Sequence, residues 1–194
     1  MRVLALNASP HREGNTRLLL DVVGEALSAE GIAYQVEHIG HQSYRGCTAC
    51  FACYERRDRR CALGGDDGMN EVIAAADAAD AVVMGSPVYF ADVTPALKAV
   101  IDRLGMTAKA NGDMLRRKAG CGVLAVRRGG AVHAFDTINH FFFISQMIVP
   151  GSSYWNFGVG LRPGDVAQDQ EGLRTMRDLG ANLAWLLQRL HAPR

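Results

Sequence analysis

The chain has 194 residues, 48% of them hydrophobic and 21% charged, which is typical of one globular domain and excludes a disordered or fibrous protein. Its 21 Lys and Arg against 20 Asp and Glu leave a net charge of +1, and this balance argues against a nucleic-acid-binding protein. No apolar run approaches the roughly 18 residues that a membrane span requires. The first apolar run is also too short for a signal peptide, so we expect a cytoplasmic protein without membrane or nucleic-acid partners.

Short apolar runs at regular intervals predict five buried strands. In chain order the runs cover residues 3–6, 33–39, 81–84, 121–126 and 147–149, the last extending at most to residue 154. The second run has a mixed polar face, which is typical of a strand near a sheet edge.

Longer amphipathic stretches between these runs predict five helices. They cover residues 16–30, 69–79, 95 to about 104, 131–146 and 173–190. Gly31 stands where a helix-terminating glycine is expected, and Thr94-Pro95 is a capping residue followed by proline at the first helical position. Asp66 or Asp67 is available to cap the second helix.

Strands that alternate with helices of this length predict βαβ units and a parallel sheet with helices on both faces. Five of each fit an α/β fold with a doubly wound five-stranded sheet in the order 2-1-3-4-5. No linker or internal repeat divides the chain, so we expect a single domain over residues 1–194 with a cysteine-rich insertion at about 45–66. Ligands of such sheets bind beyond the carboxyl ends of the strands, which makes the loops after strands one, three, four and five the candidate site.

The loop after strand one, residues 7–16, is polar and leads into a helix N-terminus, where backbone N–H groups favour an anion. Ser9, Asn15 and Thr16 offer short donors, and Gly14 allows close backbone approach. The loop has neither a Walker A lysine nor GxGxxG, so one phosphate monoester, as in FMN, fits better than a nucleoside triphosphate or a dinucleotide. The alternative is that these are ordinary loop and cap residues.

The loops after strands three and four carry residues suited to a flat cofactor. Pro87, Tyr89 and Phe90 offer surfaces for a ring; alternatively, they form a buried turn. In the Arg-Arg-Gly-Gly loop at 127–130, the glycines permit close approach to a ring and the arginines can meet a phosphate or a polar ring edge. A flexible turn with solvated arginines is the alternative.

The predicted loop after strand five contains the pair Tyr154-Trp155 in a Gly- and Ser-rich stretch. Such a pair suits an exposed aromatic surface beside a cofactor, or an interface patch in an oligomer. Both interpretations are compatible if the cofactor site lies at a dimer contact.

Five motifs occur in an order that resembles one family. They are Ser-Pro-x-x-x-Gly-Asn-Thr at 9–16, a cysteine cluster at 47–61, Asp-Asp at 66–67, Gly-Ser-Pro-Val-Tyr-Phe at 85–90 and Leu-Lys-x-x-Ile-Asp-Arg at 97–103. Together they resemble the NAD(P)H-dependent FMN reductase and iron–sulfur flavoprotein family of flavodoxin-like proteins, over essentially the whole chain. Gly68 departs from the Asp-Asp-Met of relatives, which puts the local cap geometry in question.

The resemblance implies that the chain binds FMN, uses NAD(P)H as cosubstrate and forms a homodimer or homotetramer. The FMN phosphate is then held by the first loop, and the isoalloxazine ring by the loops after strands three and four. The expected cofactor-binding residues are Ser9, His11, Arg12, Gly14, Asn15, Thr16, Ser86, Pro87, Val88, Tyr89, Phe90, Arg128, Gly129, Gly130, Tyr154 and Trp155.

Four of the five cysteines, Cys47, Cys50, Cys53 and Cys61, fall in one short segment. Thiolates three residues apart, with a fourth further along, suit a [4Fe–4S] cluster better than zinc, which prefers two separated C-x2-C pairs. The spacing also matches the compact cysteine motif of iron–sulfur flavoproteins. Free thiols are the alternative, and Cys121 in a strand is expected to be an inert core residue.

These observations favour an FMN-dependent oxidoreductase that passes electrons from NAD(P)H, or from a ferredoxin-like donor, to a small-molecule or protein acceptor. The flavin N5 carries the chemistry, so no catalytic side chain is expected. Two alternatives stay open: a non-enzymatic iron–sulfur flavoprotein electron carrier, and a thiol-based redox-responsive binding module.

Overall fold

Five parallel strands form one sheet in the computed structural model, which describes residues 1–63 and 67–192. They are β1 (Arg2–Asn7), β2 (Ala33–His38), β3 (Ala81–Pro87), β4 (Ala119–Val126) and β5 (Phe157–Val159). The order across the sheet is β2-β1-β3-β4-β5, so the predicted order 2-1-3-4-5 is confirmed and β2 is an edge strand.

Six α-helices and one short 3-10 helix are described around the sheet. They are α1 (Asn15–Ala29), α2 (Ala52–Arg56), α3 (Met69–Ala78), α4 (Pro95–Ala110), α5 (Ala131–Ile144), the 3-10 helix (Asp165–Gln168) and α6 (Gln170–Leu190). The five predicted helices are present, and α2 lies within the cysteine-rich segment. Within the described part of the chain, no helix combines the length and the apolarity that crossing a bilayer demands.

The helices cover both faces of the sheet and create two apolar cores. Val3 and Ala5 of β1 belong to the core shared with α1 and α6, whereas Leu4 and Leu6 belong to the core shared with α3, α4 and α5. Successive side chains of a strand point to opposite faces, so a strand buried on both faces is apolar throughout, as β1 is.

Two predicted helix ends are present as expected. Gly31 has φ +71° and follows α1, and the N–H of Ile32 donates to the carbonyl of Leu27 at 3.1 Å, which closes the end of the helix. Thr94 caps α4, and its hydroxyl accepts from the N–H of Leu97 at 3.4 Å.

The start of α3 explains the unexpected Gly68. Asp67 accepts from the N–H of Met69 at 3.1 Å through its carboxylate, while Asp66 lies outside the described residues. Gly68, between Asp67 and Met69, has φ +79°, a conformation that a residue with a Cβ adopts only under strain. The glycine therefore allows the chain to turn so that the Asp67 carboxylate meets the helix start.

The predicted position of strand five is wrong. Ile148 forms an isolated bridge to Ala119 at the start of β4, and the chain then leaves the sheet at Pro150, which has no N–H to donate to a ladder. The chain returns as β5 (Phe157–Val159), which pairs with the end of β4 from Leu124 onward. Residues 150–156 therefore precede strand five and lie at the sheet edge.

Candidate functional site

A cleft of about 230 Å³ lies at the carboxyl end of the sheet. Its wall is formed by Ser9, His11, Gly14, Asn15, Thr16, Pro87, Val88, Tyr89, Ala125, Arg127, Gly160, Leu161 and Pro163. These residues follow or end strands β1, β3, β4 and β5, which is where doubly wound sheets bind ligands. The structure thus brings together eight of the sixteen predicted cofactor residues.

The buried side chain of Asn7 shapes the first loop of the cleft. Its Oδ1 accepts from the N–H of Ser9 at 3.1 Å, and its Nδ2 donates to the carbonyl of Arg12 at 3.1 Å. The Ser9 hydroxyl in turn accepts from the N–H of His11 at 3.1 Å. Sequence reasoning overlooked Asn7, although a polar residue that ends an apolar strand at the switch point was a usable signal. The side chain of Arg12 is exposed and lies outside the cleft wall.

The start of α1 has the donors that an anion site needs. Thr16 is part of the cleft wall. Its Oγ1 atom is buried and has no hydrogen-bond partner among the described residues. The first N–H groups of a helix have no acceptor within it, and the helix dipole adds positive potential. The exposed Arg127 lies in the same wall. These groups fit a phosphate monoester, which needs several donors at once.

The side chain of Asn15 joins two walls of the cleft. Its Oδ1 accepts from the N–H of Gly164 at 2.9 Å, and its Nδ2 donates to the carbonyl of Arg162 at 2.9 Å. A Cβ at Gly160 would approach the Asn15 Nδ2 to 2.9 Å, so this glycine permits the close contact. The side chain of Asn15 therefore holds the loop after β5, while its backbone begins α1.

The loop after β3 is a tight turn. The N–H of Tyr89 donates to the carbonyl of Asp92 at 2.8 Å, and the reverse bond measures 3.0 Å. Phe90 and Ala91 between them have φ +47° and +67°, the left-handed conformation that this type of turn requires. Tyr89 lines the cleft, whereas Phe90 is fully exposed at the tip, outside the cleft wall.

The buried side chain of Ser86 fixes the loop after β3 by hydrogen bonds. It is fully buried, and its hydroxyl accepts from the N–H of Thr94 at 3.1 Å and donates to the carbonyl of Pro87 at 2.8 Å. The structure therefore places Ser86 behind the cleft wall, where it fixes Pro87.

The loop after β4 packs against the loop after β3. A Cβ at Gly130 would come within 2.8 Å of the Cα of Ala91, and Gly130 also has φ +89°. The close approach that this glycine permits is thus between two loops. Arg127 lines the cleft, whereas Arg128 and Gly129 are exposed beside it.

Tyr154 and Trp155 lie apart from the cleft because they precede β5. Their ring centroids are 4.7 Å apart, and the ring of Tyr154 is also 5.9 Å from that of Phe157. Tyr154 lines a separate pocket of about 290 Å³ against the start of α6. The expectation that strand five lies before Pro150 is the reason that this pair was expected at the cofactor site.

The four clustered cysteines share one small pocket against α4. It is lined by Cys47, Cys50, Cys53 and Cys61 together with Met106 and the buried Thr107. The Oγ1 of Thr107 has no hydrogen-bond partner among the described residues. Burial raises the pKa of the Cys53 thiol.

No group of three His, Cys, Asp or Glu side chains within residues 1–63 and 67–192 is arranged around a single metal ion. A [4Fe–4S] cluster demands a different arrangement, because each thiolate binds a different iron and the thiolates surround a cube. The donor set fits such a group, because all four thiols line one pocket.

The backbone of the cysteine-rich segment is strained. Ala49, Phe51, Arg57 and Arg59 all have φ between +48° and +60°, although none is a glycine. Non-glycine residues in this region cost on the order of 1 kcal/mol each and persist where surrounding contacts fix them. Such strain is typical of functional segments.

The NADPH-dependent FMN reductase family matches residues 1–161. The chain belongs to the NADPH-dependent FMN reductase family. The chain is also 35% identical over 192 residues to an iron-sulfur flavoprotein of Methanocaldococcus jannaschii, with 95% of this chain and 96% of that protein covered.

Solved structures show the same fold as this FMN reductase family member. RosB with a bound riboflavin-phosphate derivative has a TM-score of 0.74 at 20% identity, covering 98% of this chain and 80% of that one. A flavodoxin from the domain Archaea has a TM-score of 0.61 at 14% identity, covering 97% and 99%. The predicted flavodoxin-like α/β fold is therefore confirmed, and the family assignment makes the chain an FMN-dependent oxidoreductase.

Cys121 of this FMN reductase family member is fully buried in β4, and burial raises its pKa to about 12. It should therefore stay protonated and unmodified by iodoacetamide at about pH 8, because only the thiolate reacts. Peptide mapping by mass spectrometry on the metal-free native protein measures this, with the unfolded chain as control. Exposed Cys50 should be modified first. Equal modification of both cysteines in the native protein would contradict the assignment of Cys121 to the core.

Proposed function

We propose that the cleft binds FMN with its phosphate at the start of α1, and that electrons pass from NAD(P)H through FMN to a small-molecule or protein acceptor. The observation that carries this proposal is the buried Thr16 hydroxyl at the N-terminus of α1, which has no hydrogen-bond partner within residues 1–63 and 67–192. Membership of the NADPH-dependent FMN reductase family supports the same cofactor. Bound FMN supplies the exchange of a hydride or of single electrons.

The protein's own residues bind and orient the cofactor. The backbone of the first loop and the Thr16 hydroxyl donate to the phosphate, and Arg127 offsets its charge. Pro87 and Tyr89 form the wall against the ring, which Ser86 holds from behind. No side-chain acid or base is needed in this arrangement.

Thr16→Val should weaken FMN binding by about 10- to 100-fold, since a hydrogen bond to a charged group contributes roughly 1.5–3 kcal/mol. Fluorescence titration of the flavin-free protein with FMN measures the dissociation constant. Thr107→Val is the matched control, because Thr107 is also buried and its hydroxyl has no partner in the described part of the chain, but it lies in the cysteine pocket. Equal FMN affinity in Thr16→Val and the native chain would count against the phosphate position.

If NAD(P)H is the electron donor, the FMN-loaded protein should oxidise NADH or NADPH in the steady state with an artificial acceptor. Absorbance at the nicotinamide band measures the rate, and the Thr16→Val variant, freed of FMN, is the control. Rapid turnover supports an enzyme that uses a nicotinamide donor. Tight FMN binding without turnover on either nucleotide would favour the electron carrier instead.

We further propose that Cys47, Cys50, Cys53 and Cys61 hold a [4Fe–4S] cluster. The four side chains share one pocket, and thiolates are the ligands of such clusters. The name of the Methanocaldococcus jannaschii relative, an iron-sulfur flavoprotein, supports the proposal. When bound, the cluster supplies one-electron exchange; the chain supplies the four thiolates and their surroundings.

After anaerobic reconstitution the native chain should contain about four iron and four sulfide per chain with an iron–sulfur absorption band. Cys61→Ser should lose most of this iron because one ligand is missing. Cys121→Ala is the matched control and should keep it, since Cys121 is buried in a strand. Native protein that retains neither iron nor sulfide would show that the cysteines are free thiols.

A homodimer or homotetramer is part of the same proposal. Phe141 and Phe142 pack in the core, whereas Phe143 and Ile144 at the end of α5 are exposed and adjacent. Neighbouring exposed apolar side chains of this size are typical of a subunit interface.

A further inference from the structure

Arg103 in the middle of α4 is among the most buried side chains, with 1% of its surface exposed. A fully buried arginine is rare unless its charge and its donors are satisfied. Here the guanidinium contacts one segment of the chain: it donates to the Asp67 carboxylate, to the carbonyl of Leu63 at 2.7 Å and to that of Arg45 at 3.3 Å. Arg103 therefore fastens both ends of the cysteine-rich segment to α4.

The same guanidinium also contacts a proposed cluster ligand. Its Nε donates to the Sγ of Cys61 at 3.2 Å. Cys61 is held on its backbone as well, because its N–H donates to Asn70 Oδ1 at 2.8 Å and its carbonyl accepts from Asn70 Nδ2 at 3.2 Å. The fourth cysteine is thus fixed at the backbone by α3 and at the sulfur by α4.

We propose that Arg103 is a positioning residue for the iron–sulfur cluster that also raises its reduction potential. This inference rests on the cluster proposed above. One-electron reduction of [4Fe–4S]²⁺ to [4Fe–4S]⁺ would take its electron from reduced FMN in the protein or from dithionite in a titration, which is oxidised by one electron. It breaks and forms no bond and adds one negative charge to the cluster. A buried cation that donates to a ligand sulfur stabilises that added charge, because low dielectric strengthens the attraction.

Asp67 opposes this effect. Its carboxylate pairs with the Arg103 guanidinium, so it offsets part of the positive charge that the sulfur experiences. Removing the arginine charge should lower the potential, and removing the aspartate charge should raise it. A merely structural role would not produce shifts of opposite sign, since both changes break the same pair.

The test is an anaerobic redox titration of the reconstituted protein, followed by the EPR signal of the reduced iron–sulfur centre. Iron and sulfide content is measured on every sample. Arg103→Met should lower the midpoint potential by at least about 59 mV, which corresponds to a tenfold change in the equilibrium constant of a one-electron reduction. Asp67→Asn should raise it, and Arg103→Lys should stay closer to the native value because it keeps the charge.

Arg59→Met is the matched control. Arg59 lies in the same segment, but its side chain is exposed and pairs with Asp77 at 2.7 Å at the surface. Solvent screens such a charge, so the potential should stay unchanged.

The outcomes separate the two proposals. Native protein without iron and sulfide would overturn the cluster and this inference with it. Full iron content with an unchanged potential in Arg103→Met, or shifts of the same sign in Arg103→Met and Asp67→Asn, would overturn the role of Arg103 alone. If Arg103→Met does not fold, the upward shift in Asp67→Asn and the near-native potential of Arg103→Lys decide the question.

Discussion

The reversal of strand order beside β1 determines where this protein can bind a ligand. β1 and β3 are neighbours in the sheet. The chain after β1 enters α1 on one face, whereas the chain after β3 enters α4 on the other, which leaves a crevice at the carboxyl ends of these strands. Both faces of the sheet are covered by helices, so open polar backbone is concentrated at that edge. Asn7 ends β1 there, and its buried side chain makes the turn that aims the start of α1 at the crevice.

Local signals predicted the parts of the fold that local interactions determine. The first four apolar runs, Gly31 and the Thr94 cap each depend on residues within one helical turn or one strand, and the structure has all of these. Strand five failed because β5 is a three-residue edge strand without a clear alternation. Its pairing with β4 is a long-range interaction that no neighbouring residue indicates, and Ile148 satisfied the same apolar pattern with only an isolated bridge.

The residues of the candidate site also differ in whether local or long-range interactions determine their role. The position of Thr16 and Gly14 at the cleft was predictable because it depends on a helix start, which the sequence marks. The contacts of Asn15 were not, since its partners lie almost 150 residues along the chain, at Arg162 and Gly164. Gly130 similarly has its reason in another loop, at Ala91. The residue types at Asn15 and Gly130 indicated functional positions, but the fold determines which residues they contact.

One helix connects the two proposed sites. At the start of α4, the Thr94 hydroxyl donates to the carbonyl of Ala8 at 3.1 Å and the Thr94 N–H donates to the Ser86 hydroxyl at 3.1 Å, so Thr94 holds the loops of the cleft. Nine residues further along the helix, roughly 14 Å at its usual rise, Arg103 holds the cysteine-rich segment. A segment with strained backbone and many charges lacks the apolar contacts to fix itself, so a buried cation with directed donors is what orders it. Because both anchors belong to one α-helix, the cleft and the cysteine pocket are held at a fixed separation, as the proposed electron exchange between FMN and the cluster requires.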